Sequence, residues 1–275
     1  MPNLIQPPSF IAQHDWWPTE PDQWALFKAD PRTHKILVQQ IEQAVIEAFS
    51  QGSAVTECVH GYAITIDHLL WYAWYTHGLH TSNIALIAVG GYGRSELHLQ
   101  SDIDLMVLLD DITDSACEQK LSQFLTFLWD SGLDIGHSVR TIEEAVEESK
   151  KDITVITSLL EARAICGNIS LYNKLKAATA NDHIWNSKDF YLAKKQEKLE
   201  RHAKYGDTLY QLEPNIKEGP GGLRDIQFID WITKRHFNNR SLNDLISTGF
   251  LQEQEYNLLS HCLLYTSDAA DELSC

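Results

Sequence analysis

Gly90-Gly91-Tyr92-Gly93-Arg94-Ser95, followed after a short connection by Ser101-Asp102-Ile103-Asp104-Leu105-Met106-Val107-Leu108-Leu109, is the stretch on which the fold turns. The apolar run Ile84–Val89 before it reads as a buried strand. The Gly90-Gly91 pair lets the backbone turn sharply and come close to a ligand. Asp102 and Asp104 then open a second strand-like run. Being two positions apart, they face the same way, about 6.6 Å from each other at ~3.3 Å rise per residue. That separation suits ligands shared by a pair of metal ions ~4 Å apart.

Without its surroundings, an Asp-x-Asp near a glycine turn describes a tight hairpin with solvated aspartates. Two features argue for more. The carboxylates begin an otherwise apolar strand, where uncompensated charge is costly, and the glycine turn stands at a short fixed distance before them. Together these features resemble the nucleotidyltransferase superfamily of polymerase beta type. Its pattern is Gly-Gly or Gly-Ser, a short connection, then two aspartates alternating with apolar residues. The resemblance implies a third carboxylate on a neighbouring strand. Asp134, in Leu133-Asp134-Ile135 after the helix-like segment 114–131, is the candidate.

Composition agrees with a folded enzyme. The 275 residues suffice for two domains, and 44% hydrophobic against 22% charged residues argues against wholesale disorder. No apolar run approaches the ~20 residues of a membrane span, and the N-terminus lacks a signal-peptide pattern. Cys58, Cys117, Cys166, Cys262 and Cys275 are scattered without Cys-x-x-Cys spacing, which speaks against a zinc site or a disulfide framework and for a reducing cytoplasm. A net charge of −16 lacks the basic footprint of a protein that tracks a phosphate backbone. The densest basic stretches, Lys194 to Arg201 and Lys234-Arg235, sit beside acids in helical patterns and read as solvated faces. A protein or small-molecule acceptor is therefore favoured over nucleic acid, and no membrane is implied.

The pattern predicts three parts and an α+β fold. Residues 1–79 hold an irregular arm rich in Pro and Trp, then helices. Asp30-Pro31 is a helix start, Leu37, Ile41, Val45 and Phe49 form an apolar stripe, and Gly52 ends the helix. A second helix is expected at about Tyr62–His77. Residues 80–150 form a small mixed unit: strand 84–89, glycine turn with a short helix, strand 102–109, helix 115–130, strand 133–140, and a helix capped by Thr141-x-x-Glu144. Residues 151–275 read as helical throughout. Asp152 caps a first segment that Gly167 ends, and further helices are expected at Leu171–Ala180 and Asn186–Tyr205.

Within that last part lies Glu213-Pro214-Asn215-Ile216-Lys217-Glu218-Gly219-Pro220-Gly221-Gly222-Leu223-Arg224-Asp225. The Gly-Pro-Gly-Gly stretch forbids regular helix, and a helix should begin near Leu223, with Leu223, Ile226, Ile229 and Ile232 on its apolar side. Taken alone, this is an interhelical loop with exposed charges. Its other reading is an anion site at a helix N-terminus, with Lys217 and Arg224 placed to meet a triphosphate.

Four stretches narrow the resemblance to one family: Gly-Gly-Tyr-Gly-Arg-x-Glu-Leu at 90–97, Ser-Asp-Ile-Asp-Leu at 101–105, Gly-His-Ser-Val-Arg-Thr at 136–141, and the Glu-Pro-Asn motif at 213–225. They are similar to the bacterial PII uridylyltransferase/uridylyl-removing enzymes, over roughly residues 30–264. That family implies transfer of UMP from UTP to a tyrosine hydroxyl of the PII nitrogen-signalling protein, releasing pyrophosphate. It implies two Mg²⁺ ions held by Asp102, Asp104 and Asp134, and nucleotide contacts from Gly90, Gly91, Arg94, Lys217 and Arg224. His98 and His137 read as structural, since magnesium prefers oxygen donors. Ser95 and Leu99 stand where the family more often has Gly and Pro, so altered loop stiffness is expected there. Family members are longer and add a phosphohydrolase domain for uridylyl removal and glutamine-sensing domains. The chain is expected to be an N-terminal piece lacking both, with residues from about Tyr265 departing from the family pattern. The competing readings are a nucleotidyltransferase with another acceptor, a nucleotide-binding module without catalysis, and an inactive fragment.

Overall fold

The computed structural model describes residues 5–19, 21–24, 30–110, 115–180, 183–204, 215–237 and 242–272. Glu213, Pro214 and Cys275 lie outside them. By internal contact the chain divides into two compact units: residues 1–144 with 161–175, and residues 145–160 with 176–275.

The first unit opens with the one-turn helices α1 (Ser9–Ala12) and α2 (Pro21–Trp24). Trp17, between them, and Trp24, the last residue of α2, are buried in an edge-to-face pair 5.3 Å apart, so aromatic packing anchors the arm as its composition predicts. Helix α3 (Pro31–Ser50) starts as the sequence indicates. The Asp30 side chain accepts from Arg32 N at 3.1 Å and Pro31 takes the first helical position, where a missing N–H costs nothing. Its inward stripe is Leu37, Ile41 and Val45, extended by Ala48; Phe49, expected on that stripe, is exposed. Helix α4 (Val55–Thr76) begins seven residues earlier than expected and buries most of its length. Its start is apolar enough to pack but carries no Ser, Thr or Asp cap to mark it.

A four-stranded mixed sheet follows, in the order β3-β2-β1-β4. Strand β1 (Ile84–Ala88) is buried at every position, which is why it reads as an unbroken apolar run. It pairs antiparallel with β2 (Ile103–Leu109) and with β4 (Arg163–Gly167). Between β1 and β2 lies the single turn of helix α5 (Gly90–Gly93). Helix α6 (Ser115–Asp130) then crosses over, so that β3 (Ile135–Thr141) runs parallel to β2. Leu86, Val107, Phe124, Leu70 and Trp74 belong to one core shared by the sheet, α3, α4 and α6. Helix α7 (Ile142–Lys151) carries the expected capping box: Thr141 N donates to Glu144 Oε2 at 2.9 Å, and Glu144 N to Thr141 Oγ1 at 3.2 Å.

Strand β4 corrects the sequence reading, which ran helix up to Gly167. Asp152 does cap a helix, α8 (Ile153–Leu160), through Thr154 N at 2.7 Å. The chain then turns into a five-residue edge strand that returns to the sheet. So short an apolar run carries no period of its own, and Gly167 closes a strand, at φ +88°, where a Cβ would collide with the backbone of Ile84 and Ala85. Helix α9 (Ile169–Ala178) leads out of the first unit.

The second unit is helical: α10 (Ser187–Lys204), α11 (Leu223–His236), the single turn α12 (Asp244–Ser247) and α13 (Glu253–Glu272). Ile156, Phe190 and Trp231 form its small core. On α11, Leu223 and Ile226 are buried as expected, whereas Ile229 is exposed and Trp231 takes the inward place.

Candidate active site

The three aspartates sit where three chain segments meet at one end of the sheet. Asp104 is the second residue of β2, Asp102 immediately precedes that strand, and Asp134 immediately precedes β3. Ile103 N donates to Asp134 O at 2.8 Å, which brings the Asp134 backbone beside the segment between the other two aspartates. The parallel register sets Asp104 opposite Gly136. All three aspartates are exposed, although their neighbours Ile103, Leu105, Leu133 and Ile135 are buried. Alternation along the strand ends accounts for this: the apolar partners fill the core and the carboxylates face out.

Two glycines bracket the Asp104 carboxylate. A Cβ on Gly136 would stand 2.6 Å from Asp104 Oδ1, and one on Gly90 would stand 3.1 Å from Oδ2. Gly90 also holds φ +60°, a conformation that favours glycine. Val89 N donates to Asp104 O at 3.0 Å, so the entrance to the glycine turn is hydrogen-bonded to the residue whose side chain it flanks. Gly136 was not expected as a site residue. Its importance arises only from the β2–β3 pairing, although it opens the Gly-His-Ser-Val-Arg-Thr stretch noted in the sequence.

Among the described residues, no three His, Cys, Asp or Glu side chains are gathered closely enough to hold a metal ion by themselves. The donors at this end of the sheet are exposed carboxylate oxygens on an open surface. Magnesium fits such a set: it requires hard oxygen ligands and commonly takes one or two carboxylates, completing its shell with substrate phosphate and water. The two histidines expected to be structural stand near this region. His137 packs its ring edge-on to Trp129 at 5.2 Å, and His98 O accepts from Ser101 N.

The structure gives Arg94 intramolecular partners. Its Nε donates to Glu96 Oε2 at 2.7 Å and its Nη1 to Glu161 Oε1 at 2.7 Å. Burial works against the guanidinium charge, but the Glu161 and Glu96 carboxylates outweigh it and raise the pKa. The expected contact of Arg94 with a phosphate therefore competes with two ion pairs already made. Gly91 leaves ordinary contact space beside the turn, with Glu96 O at 3.5 Å from its would-be Cβ. Ser95 holds φ +61°.

Lys217 and Arg224 belong to the second unit. There Asn215 Oδ1 accepts from Lys217 N at 3.1 Å and Glu218 N at 2.7 Å, folding the Gly-Pro-Gly-Gly segment into a compact turn before α11. The anion at this helix start is the chain's own Asp225, whose Oδ2 accepts from Gly221 N at 2.9 Å. Arg201, His202 and Lys198 surround the same carboxylate. Desolvation raises the pKa of Asp225, but the Gly221 N–H and His202 lead the contacts that outweigh it and leave the carboxyl below its ordinary value. Arg224 reaches Glu218 at 3.6 Å and Gln227 Oε1 at 2.9 Å. Lys217 has no ion-pair partner among the described residues.

A small mixed sheet with a glycine turn between its first two strands, and acidic residues at the ends of two parallel neighbours, is the arrangement that the nucleotidyltransferase class requires. Comparison with known proteins agrees and goes further. The family described as GlnD PII-uridylyltransferase matches residues 189–269, within the second unit. Over 227 residues, 82% of the chain, the sequence is 44% identical to the bifunctional uridylyltransferase/uridylyl-removing enzyme of Pseudomonas aeruginosa LESB58. It is 46% identical over 226 residues, again 82% of the chain, to that of Methylococcus capsulatus. To that of Pseudoalteromonas translucida it is 48% identical over 210 residues, 76% of the chain. The chain belongs to the PII-uridylyltransferase family. It spans about a quarter of the length of these relatives: 25%, 26% and 24% respectively. No helix among the described residues is long and apolar enough to cross a membrane.

Proposed function

We propose that the chain carries a uridylyl-transfer site that moves UMP from UTP to a tyrosine hydroxyl of a PII signalling protein. The observation that supports this best is the Asp104 carboxylate flanked by Gly90 and Gly136, with Asp102 and Asp134 at adjoining strand ends. In the reaction, the tyrosine oxygen forms a bond to the α-phosphorus of UTP while the bond from that phosphorus to its bridging oxygen breaks. Pyrophosphate leaves, and the phenolic proton passes to a base or to solvent. Asp102, Asp104 and Asp134 would hold Mg²⁺, which when bound supplies positive charge against the phosphates and lowers the barrier to forming a phenolate.

The chain's own residues have distinct tasks in this reading. Gly90 and Gly91 let the backbone approach the triphosphate without a side chain intervening. Asp134 lies beyond β2 on the neighbouring segment, where a carboxylate can orient the incoming hydroxyl and take its proton. A phenol of ordinary pKa ≈ 10 is almost wholly protonated at neutral pH, so this assistance matters. The acceptor is assigned as PII through the description of the matching family and the Glu-Pro-Asn motif. Incubating the chain with PII and labelled UTP, with and without Mg²⁺, tests the proposal. Label on PII and released pyrophosphate, both dependent on Mg²⁺, are the expected result; no incorporation of label from UTP would overturn it.

A further inference from the structure

Three of the four residues of α5 are glycine. Two of them are demanded by geometry. Gly90 holds φ +60°, and a Cβ on Gly93 would fall 2.3 Å from Glu161 O. Such a turn has little order of its own, because glycine gives up more conformational freedom than any other residue when it is fixed. Tyr92 is its one side chain, and that side chain is buried. Its hydroxyl donates to Asp67 Oδ1 at 2.5 Å. Burial first, then the Asp67 charge, pushes the Tyr92 pKa well above its ordinary value, so the hydroxyl remains a donor.

Asp67 lies on α4 between Ile66 and the Leu69-Leu70 pair, all of them buried in the core. Arg163, the first residue of β4, fixes the same carboxylate from the other side. Its Nη1 donates to Oδ2 at 2.6 Å and its Nη2 to Oδ1 at 3.1 Å. Nη2 also reaches Tyr92 O at 3.4 Å, and the guanidinium lies 5.4 Å from the centre of the Tyr92 ring. A second link from α4 holds the far end of the turn, where Ser95 O accepts from His60 Nδ1 at 2.6 Å. A rigid helix and an edge strand thus grip the one side chain that the turn possesses.

We propose that Asp67 is a positioning residue of the candidate site: acting through Tyr92 and Arg163, it holds the glycine turn in the place that sets Gly90 against Asp104. The consequence for catalysis rests on the uridylyl-transfer reading; the order of the turn does not. A tether of this kind predicts a local effect when it is cut. A contact serving only to stabilise the fold predicts a global one.

The experiment compares the full chain with Tyr92→Phe and Asp67→Asn. Tyr92→Phe removes one hydroxyl and leaves the Asp67–Arg163 pair intact, so it retains the fold. Amide hydrogen exchange is followed at Gly91–Ser95 and at Ile84–Ala88. We expect exchange in the turn to rise about tenfold, the equivalent of one buried hydrogen bond, with β1 unchanged. Asp67→Asn, which also removes the charge facing Arg163, should give the larger rise. Uridylyl transfer should fall in kcat, with KM for UTP changed by less than about twofold, because a displaced turn misorients a bound triphosphate. Arg163→Lys, which keeps the charge and loses the paired contact, should lie between wild type and Asp67→Asn. Exchange rising equally in β1 and the turn, or unchanged in the turn, overturns the proposal. Exchange needs no substrate, so a chain that transfers no UMP would overturn the function and leave this result standing.

Discussion

The Asp104 carboxylate occupies the space that any side chain at Gly136 would need, since a Cβ there would stand 2.6 Å from Asp104 Oδ1. The two residues face each other across the parallel β2–β3 pair. Gly136→Ala is therefore a graded test of carboxylate placement. The atom that must yield is the far end of a side chain, so the cost to folding should be about 1 kcal/mol or less. Displacing the carboxylate by a fraction of its own size should lower uridylyl transfer by roughly 100-fold. Gly91→Ala is the control. Its Cβ meets nothing closer than 3.5 Å, so the melting temperature should hold within about 2 °C of wild type.

Removing charge at the same site should separate function from stability. Asp102→Asn, Asp104→Asn and Asp134→Asn each delete an exposed carboxylate and almost no volume. Activity should fall by roughly 100-fold or more in each variant, while the melting temperature stays level or rises, since like charges at one end of a sheet repel. Steady-state transfer and thermal unfolding check this together. Normal turnover by Asp104→Asn would remove that residue from the proposed metal-binding set.

The parts of this design legible in the sequence are those that a local pattern carries. The buried strand at 84–88, the helix at 115–130, the Asp30-Pro31 start and the Thr141–Glu144 box each follow from a few neighbouring residues. Strand β4 was not legible, because five residues at a sheet edge show neither alternation nor helical period. Gly136 and Glu161 were missed for a different reason. One matters through what pairs with it across the sheet, the other through an ion pair to Arg94 spanning 67 positions. Asp225 stood inside a quoted motif, yet its role as the internal anion of α11 depends on Arg201 and His202 from another helix.

Ser95 offers a test of backbone strain. It holds φ +61°, which costs an L-residue about 1–2 kcal/mol, whereas glycine accepts it at an entropic cost of roughly 0.5–1 kcal/mol. Ser95→Gly should therefore stabilise the chain by about 0.5–1 kcal/mol, a rise of about 1–3 °C in melting temperature. The bond from His60 reaches the Ser95 carbonyl oxygen, which glycine retains. A fall in melting temperature would mean that the seryl side chain contributes more than its backbone costs.

Acid should destabilise the first unit through His34. Burial first, then the neighbouring His77 charge, lowers its pKa from 6.5 to about 4, against a smaller opposing pull from Asp30. The folded state thus keeps the ring neutral at pH values where the unfolded chain already binds a proton. The sign follows: stability is full above the unfolded pKa and declines as pH falls from 6.5 towards about 4, by up to about 3 kcal/mol. His34→Phe, which suits the aromatic surroundings of Tyr72 and Phe127, should flatten that part of the stability profile. Equal slopes for variant and wild type between pH 6.5 and 4 would rule out His34 as the source.

Arg94 has two competing assignments, and stability separates them. As a phosphate ligand its loss should raise KM for UTP and leave folding alone. As a clamp its loss takes an ion-pair partner from Glu161, whose side chain is only 4% exposed. Breaking a buried pair by removing one partner costs roughly 3–5 kcal/mol. Arg94→Gln should then lower the melting temperature by roughly 10 °C. Glu161→Gln added to it removes the buried charge, so the double variant should be more stable than Arg94→Gln alone, with a coupling of about 1–3 kcal/mol. Thermal unfolding of the wild type, the two single variants and the double variant closes that cycle. A rise in KM for UTP at unchanged melting temperature would instead return the guanidinium to the triphosphate.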